Sequence, residues 1–425
     1  MKFLNRFKDS IWIIPVMHSV ASILLALVIV YFNYYILPNL PFKIPFFLQT
    51  SMDLARTILW VISSALLTMT TITFSTIMVV LTTYSSQYSP RVLKDFVNDP
   101  KTLHVLGIFM GGFLYAIMSL AFLQETTFGG EVISAIVGVM ISIACLFVFV
   151  YFVQHVASSI QIINLINALD KDISYEIERE EKLFAREEVQ VLHKEPMIRV
   201  YLNTYDVTVS RNGYIQYLNL LGVFRWASAN DAFVEINHKM GSFLTEDEVI
   251  YKVHSNSEIT AFDELNATYI LGKERTIANN PDYAIQKMVD VTMRALSPST
   301  YDPFTVNQCL DYLAVAMRER FRETGHFIVL KDEAVRVIAQ RTPVKRELYD
   351  VFGQIHYYIR EETTVYIKLL QVYTLIGDAS PDYIKDEIKE LVIHLNGVFN
   401  EEILEPLDLE YVNVEREKLN EVLEA

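Results

Sequence analysis

The sequence predicts an α-helical integral membrane protein with four transmembrane helices, followed by a cytosolic α+β part: a small β-barrel or sandwich, then a helical domain. Three observations carry this reading. Four apolar runs in the first 156 residues are each long enough to cross a bilayer, which takes about 20 residues as helix. The charge changes sign along the chain. Residues 1–155 hold eight Lys+Arg against six Asp+Glu, and the remaining residues hold 28 against 45, within a net charge of −15. The texture then changes twice, to short β-branched runs near Ile198 and to helical periodicity from Asn280.

The transmembrane domain is expected over 1–156, with spans at about 11–37, 54–83, 102–123 and 132–156. The first run is too long for a cleaved signal peptide, and no small-residue cleavage site follows it. Lys and Arg near span ends set orientation. The N-terminus has Lys2, Arg6 and Lys8, and the second loop has Arg91, Lys94 and Lys101. The first loop has only Lys43, and the third has no Lys or Arg. The second loop and both termini are therefore expected on the cytoplasmic side, as in a multi-pass protein.

Within the second span the polar residues are ordered. Thr57, Ser64, Thr68, Thr71, Ser75 and Thr82 step by seven, four, three, four and seven, which is one face of a helix. Two readings stay open: helix–helix packing with the hydroxyls bonded to carbonyls, or the lining of a polar path. The third and fourth spans carry small residues at four-residue spacing, Gly107–Gly111 and Gly112–Ala116, then Ser134, Gly138 and Ser142, a signature of close helix approach. No Asp, Glu, Lys or Arg lies mid-span, which argues against proton coupling through a buried charge.

Beyond the spans, Ile162, Ile166, Leu169, Ile173 and Ile177 mark an amphipathic connecting helix over 157–190. A small β-rich domain is expected over 198–272, from runs such as YDVTVS, GYIQYLN and EVIYKVH. A helical domain is expected over 280–425. Asn280-Pro281 and Asp302-Pro303 each read as an N-cap followed by proline at the first helical position.

Two stretches carry a family resemblance. SSQYSPRVLKDF follows the Thr/Ser-rich span, and QKMVDVTMRALSPSTYDPFTVNQCLDYL lies in the cytosolic part. Together they resemble a bacterial family of predicted membrane proteins known as domain of unknown function 2254, over nearly the whole chain. The motif residues are Ser85, Ser86, Gln87, Tyr88, Ser89, Pro90 and Arg91, then Arg294, Ala295, Leu296, Ser297, Pro298, Asp302, Pro303, Phe304 and Thr305. This chain has Ser299-Thr300-Tyr301 where the family has a Gly-Ile-Asn-like turn, so no role of that glycine carries over. The resemblance implies a location in the bacterial plasma (inner) membrane and supplies no catalytic residue, cofactor or substrate. Physically, Ser89 and Asp302 are placed to cap helices while Arg91 and Arg294 ion-pair. Alternatively, the helix N-termini and arginines form an anion or headgroup site.

The acidic second part excludes a nucleic-acid groove, which needs excess Lys and Arg. The sequence contains no Walker-type glycine loop, no His-Glu-x-x-His and no Gly-x-Ser-x-Gly. Cys145 and Cys309 alone make neither a disulfide framework nor a zinc site. The expectation is a non-enzyme without cofactor or metal, partnered by the lipid bilayer and by copies of itself. It is either an oligomeric channel or transport-like protein with a cytosolic vestibule, or a non-conducting scaffold or sensor that binds a cytosolic protein.

Overall fold

The computed structural model describes residues 12–39, 50–87, 99–123, 131–159, 161–359, 361–378 and 380–424. The chain divides into two compact units, Met1–Asn164 and Leu165–Ala425.

The first unit consists of four long helices. Helix α1 (Ile13–Tyr31) runs on into a π-helical turn, Phe32–Ile36. It is followed by α2 (Met52–Gln87), α3 (Pro100–Ala121) and α4 (Ser134–Ser159). All four are long and apolar enough to cross a membrane, and they fall on the four runs read from the sequence. Helix α2 continues past Thr83 into the Ser-Ser-Gln motif. Strand β1 (Thr50–Ser51) pairs antiparallel with β2 (Glu131–Val132), joining the start of α2 to the approach to α4.

Polar groups inside this unit satisfy helix ends. Asp99 caps α3, its Oδ2 accepting from the Thr102 amide at 3.2 Å and the Thr102 hydroxyl at 3.0 Å, with His155 Nε2 at 2.7 Å. Pro100 follows at the first helical position, where a missing N–H leaves nothing unpaired. Buried Asn33 donates to the Ser134 hydroxyl at 2.5 Å and accepts from the Ile133 amide at 3.1 Å.

Helix α3 packs against each of the other three helices. Its two rows of small residues serve different neighbours. A Cβ added at Gly107 meets His18 Cδ2 at 2.8 Å, and one at Gly111 meets Ser22 Oγ at 2.5 Å, so this row faces α1. A Cβ at Gly112 meets Leu66, Ile141 and Cys145 at 3.0–3.3 Å, so the second row faces α2 and α4. Small residues let backbones approach, and between apolar helices that close contact replaces a hydrophobic driving force.

Helix α5 (Ile162–Phe184), which from Leu165 on belongs to the second unit, buries Ile166, Leu169, Ile173 and Ile177 in the predicted stripe. A mixed six-stranded sheet follows, in the order β3 (Val189–Leu192), β10 (Phe327–Lys331), β11 (Val335–Gln340), β6 (Ala232–Ile236), β8 (Val249–Ser255) and β4 (Asn203–Thr208). All its pairings are antiparallel except β11 with β6. A second, three-stranded sheet orders β7 (Phe243–Leu244), β5 (Gly213–Leu218) and β9 (Tyr269–Gly272). Both sheets and helix α6 (Leu220–Ala229) share one core, in which Val207, Ile215, Trp226, Val234, Leu244, Tyr251 and Leu271 are buried. The neighbouring Phe233 packs on the opposite face with Val329 and Ile338. The larger sheet keeps two edges, β3 and β4, so it is an open layer and not a closed barrel.

Beyond α5, α6 and a single turn at Asp263–Asn266, the α-helices of this unit are α7 (Pro281–Ala295), α8 (Pro303–Arg320), α9, α10 (Thr363–Asp378), α11 (Asp382–Val398) and α12 (Pro406–Glu424). Helix α9 comprises Val344–Leu348, a π-helical turn Tyr349–Gly353, and Gln354–Tyr358. One expectation is corrected: residues 280–425 are not wholly helical, nor does the β-rich part end at 272. The β10–β11 hairpin lies between α8 and α9, and its FIVL and VRVIA runs are the β-branched strands that the six-stranded sheet needs to cover its core.

Overpacking the α1–α3 seam is expected to destabilise the first unit. Gly111→Val should cost about 1–3 kcal/mol, read as a lower melting temperature of the purified protein. Gly397→Ala, with no atom within 4 Å of its added Cβ, should be neutral or slightly stabilising.

Candidate functional site

Helix α2 has two distinct sides. Ala55, Leu59, Ile62, Leu66, Thr73 and Val80 are buried in the unit. Thr57, Ser64, Thr68, Thr71, Ser75 and Thr82 are all exposed. At 3.6 residues per turn the two sets lie roughly 180° apart around the helix. The hydroxyl face therefore looks away from the chain's own helices. Exposed apolar side chains flank it, among them Trp60, Val61, Leu67, Ile72 and Val79. Four of the hydroxyls donate to the carbonyl one turn back: Thr57 to Asp53, Thr68 to Ser64 and Thr82 to Met78 at 2.9 Å, and Thr71 to Leu67 at 3.0 Å.

The second motif forms a tight corner between α7 and α8. The Asp302 amide donates to the Ala295 carbonyl at 2.8 Å and turns the chain back. Asp302 then caps α8, accepting from the Thr305 amide at 3.2 Å and the Thr305 hydroxyl at 2.7 Å, with Pro303 at the first helical position. The Ser297 hydroxyl lies 2.8 Å from that of Thr300, which in turn bonds the Arg294 carbonyl at 2.5 Å. Pro298 is exposed between them. These residues account for the end of one helix and the start of the next. Of the first motif, Ser86 and Gln87 are the last residues of α2, while Tyr88, Ser89, Pro90 and Arg91 lie outside the described residues. Among the described residues no group of three or more His, Cys, Asp or Glu is placed to hold a metal ion.

Sequence reasoning missed the most concentrated charge in the second unit. Arg320, the last residue of α8, is only 6% exposed. Its Nε donates to Glu347 of α9 at 3.0 Å, and its Nη1 donates to Glu180 of α5 at 3.3 Å. Its Nη2 donates to Asp282 in the first turn of α7 at 2.5 Å and to Glu347 at 3.2 Å. Two further cations complete the cluster. Arg341 Nη2 lies 3.6 Å from Glu180, while the guanidinium sits over the Phe184 ring at 5.0 Å. Lys239 donates to the Thr342 hydroxyl at 2.7 Å and lies 3.5 Å from Asp282. Three cations thus meet three carboxylates.

Burial works against the charge of Asp282, but Arg320 and then Lys239 hold its carboxyl below the ordinary aspartate value. Burial pushes Glu347 above the ordinary glutamate value, against the pull of Arg320. Two clefts flank the cluster, of about 510 and 480 Å³, and both are walled by Lys239, Asp282 and Arg320. The cluster's residues are scattered from position 180 to position 347, so no local motif signals it. The one hint is the basic end of α8, Arg318 and Arg320, which also reads as an ordinary complement to the helix dipole.

Two histidines of the helical layer also meet. His356 is fully buried, with its Nδ1 at 3.0 Å from that of His394 and its Nε2 against the Tyr373 hydroxyl. Burial, and then His394, push its pKa down to about 3, so it is neutral over the physiological range.

Arg320→Met should destabilise the folded protein by about 3–5 kcal/mol at pH 7, because it strands buried carboxylates. Asp282, with its folded pKa depressed, stabilises the fold above its ordinary value of 3.8, and that contribution is lost as pH falls below it. The gap between wild type and Arg320→Met should therefore narrow below about pH 4 in urea titrations.

Comparison with known proteins agrees with a membrane protein. The model of the predicted membrane protein family DUF2254 matches residues 8–374. Among curated proteins, an uncharacterised protein of Mycobacterium tuberculosis is 26% identical over 270 residues, covering 61% of this chain and 51% of the relative. An uncharacterised protein of Mycobacterium bovis matches at the same identity and coverage. The chain therefore spans about half the length of the curated relatives it matches. No solved structure matches. A family model that covers most of the chain, over four helices of spanning length and apolarity, makes this chain a member of the DUF2254 family of predicted membrane proteins.

Proposed function

We propose that this protein is a homo-oligomeric, multi-pass protein of the bacterial inner membrane that conducts a small solute or ion along the hydroxyl face of α2. One observation carries the reading: Thr57, Ser64, Thr68, Thr71, Ser75 and Thr82 are exposed on the side of α2 opposite its buried face. Packing within one subunit would bury them. A polar ribbon that faces outward is best placed against a second copy or a water-filled path. The Lys and Arg pattern at the span ends supports cytoplasmic termini. The second unit would then stand in the cytosol as an acidic vestibule or gate.

A second reading has its own support. Because Thr57, Thr68, Thr71 and Thr82 already donate to carbonyls of their own helix, the face does not require water. A non-conducting scaffold or sensor, with the second unit binding a cytosolic protein, fits that economy.

Ion flux through purified protein in liposomes separates the two. Flux in wild type that falls or changes selectivity in Thr68→Val/Thr71→Val/Ser75→Ala supports conduction. Folded wild type that passes nothing under voltage, osmotic or pH gradients contradicts it and favours the scaffold.

A further inference from the structure

We infer that the 480 Å³ cleft beside the Arg320 cluster is a binding site for an organic phosphate, an anionic head on an apolar body. Its size is that of a small-molecule site. The cluster itself is not what binds, because its three cations are already matched by Glu180, Asp282 and Glu347. What remains on the cleft's lining is two unpaired donors against one acceptor without a hydrogen bond, Glu176 Oε2, which lies 3.8 Å from Arg179. Asn280, only 2% exposed, caps α7 by accepting from the Tyr283 amide at 3.0 Å, while its Nδ2 has no acceptor. Arg341, with its side chain 8% exposed, donates from Nη1 to the Glu323 carbonyl at 2.6 Å, while its Nε has no acceptor. Both residues line the cleft.

Buried donors without acceptors are rare in folded proteins, and a ligand is one way to supply the missing oxygens. A phosphate offers several oxygens and the charge that strengthens such bonds. The rim has the matching sign. Arg179, Lys182 and Arg186 line it against Glu176 alone among lining carboxylates outside the cluster; Arg179 lies 3.8 Å from Glu176 and Lys182 pairs with Glu178 at 2.6 Å. The remaining wall is apolar and aromatic, with Phe184, Tyr217, Leu218, Leu221 and Ile328. An inorganic ion would leave that wall uncovered. The inference does not depend on whether the apolar helices conduct.

The test is calorimetric titration of the full-length purified protein with AMP, dihexanoyl phosphatidic acid, inorganic phosphate and adenosine. At least one of the two organic phosphates should bind at least tenfold more tightly than inorganic phosphate, with adenosine weaker still. Whichever binds more tightly assigns the site to a soluble metabolite or to a lipid headgroup. Asn280→Asp keeps the capping oxygen of α7 but replaces the donor with a negative charge, and should weaken that binding at least tenfold. Arg186→Glu, on the exposed rim, leaves the interior untouched and should weaken it several-fold. Absence of binding by both organic phosphates, binding no tighter than that of inorganic phosphate, or binding unchanged in both folded variants overturns the proposal.

Discussion

A buried guanidinium cannot be left unpaired, and in the second unit that constraint falls on Arg320. Its charge is tolerated only if Glu180, Asp282 and Glu347 arrive together, and those residues come from α5, α7 and α9. Removing one partner from such a group costs far more than the group contributes net, so docking of the helices is all-or-none. The pairing of Arg320 with Glu347 also closes the base of the excursion that carries the β10–β11 hairpin. That hairpin connects edge strand β3 to the strands around β6, and through it the helical layer and the sheet become one folding unit. Arg341 follows β11 directly and reaches Glu180, which ties the end of the hairpin to the same cluster.

The first unit obeys different rules. Its interior has no comparable ion network among the described residues. Order comes from close approach at Gly107, Gly111, Gly112 and Gly138, and from buried polar groups that satisfy backbone ends, such as Asn33 and Asp99. Helix α3 has the largest buried share of the four and packs against each of the other three. Helix α2 is packed on one side only, and its hydroxyl side is turned outward. Function is expected where packing leaves a patterned face uncovered.

Local signals in the sequence were good guides to local structure. The four apolar runs, the caps at Asn280 and Asp302, and the stripe of α5 all appear where periodicity and capping chemistry place them. The hydroxyl stripe was legible as a face, but its direction was not, because exposed Leu67 and Val79 are as apolar as buried Leu66 and Val80. The β10–β11 hairpin is readable in principle from FIVL and VRVIA, yet these two short runs lie between long stretches of helical periodicity that mask them. The Arg320 cluster was not readable at all, since its members share no spacing and meet only after the helices dock.

The central claim is that the hydroxyl face of α2 looks out of its own subunit onto water or another copy. Cysteine scanning along α2, in protein reconstituted in membranes with Cys145 and Cys309 replaced, tests it most directly. Each single cysteine would be challenged with a small water-soluble thiol reagent and with an oxidant. The account predicts labelling or intersubunit disulfides at positions 68, 71 and 75, and protection at positions 66, 73 and 80. Protection at 68, 71 and 75 from both reagents, with no helical period along the scan, would contradict it and return the face to lipid or to packing within one subunit.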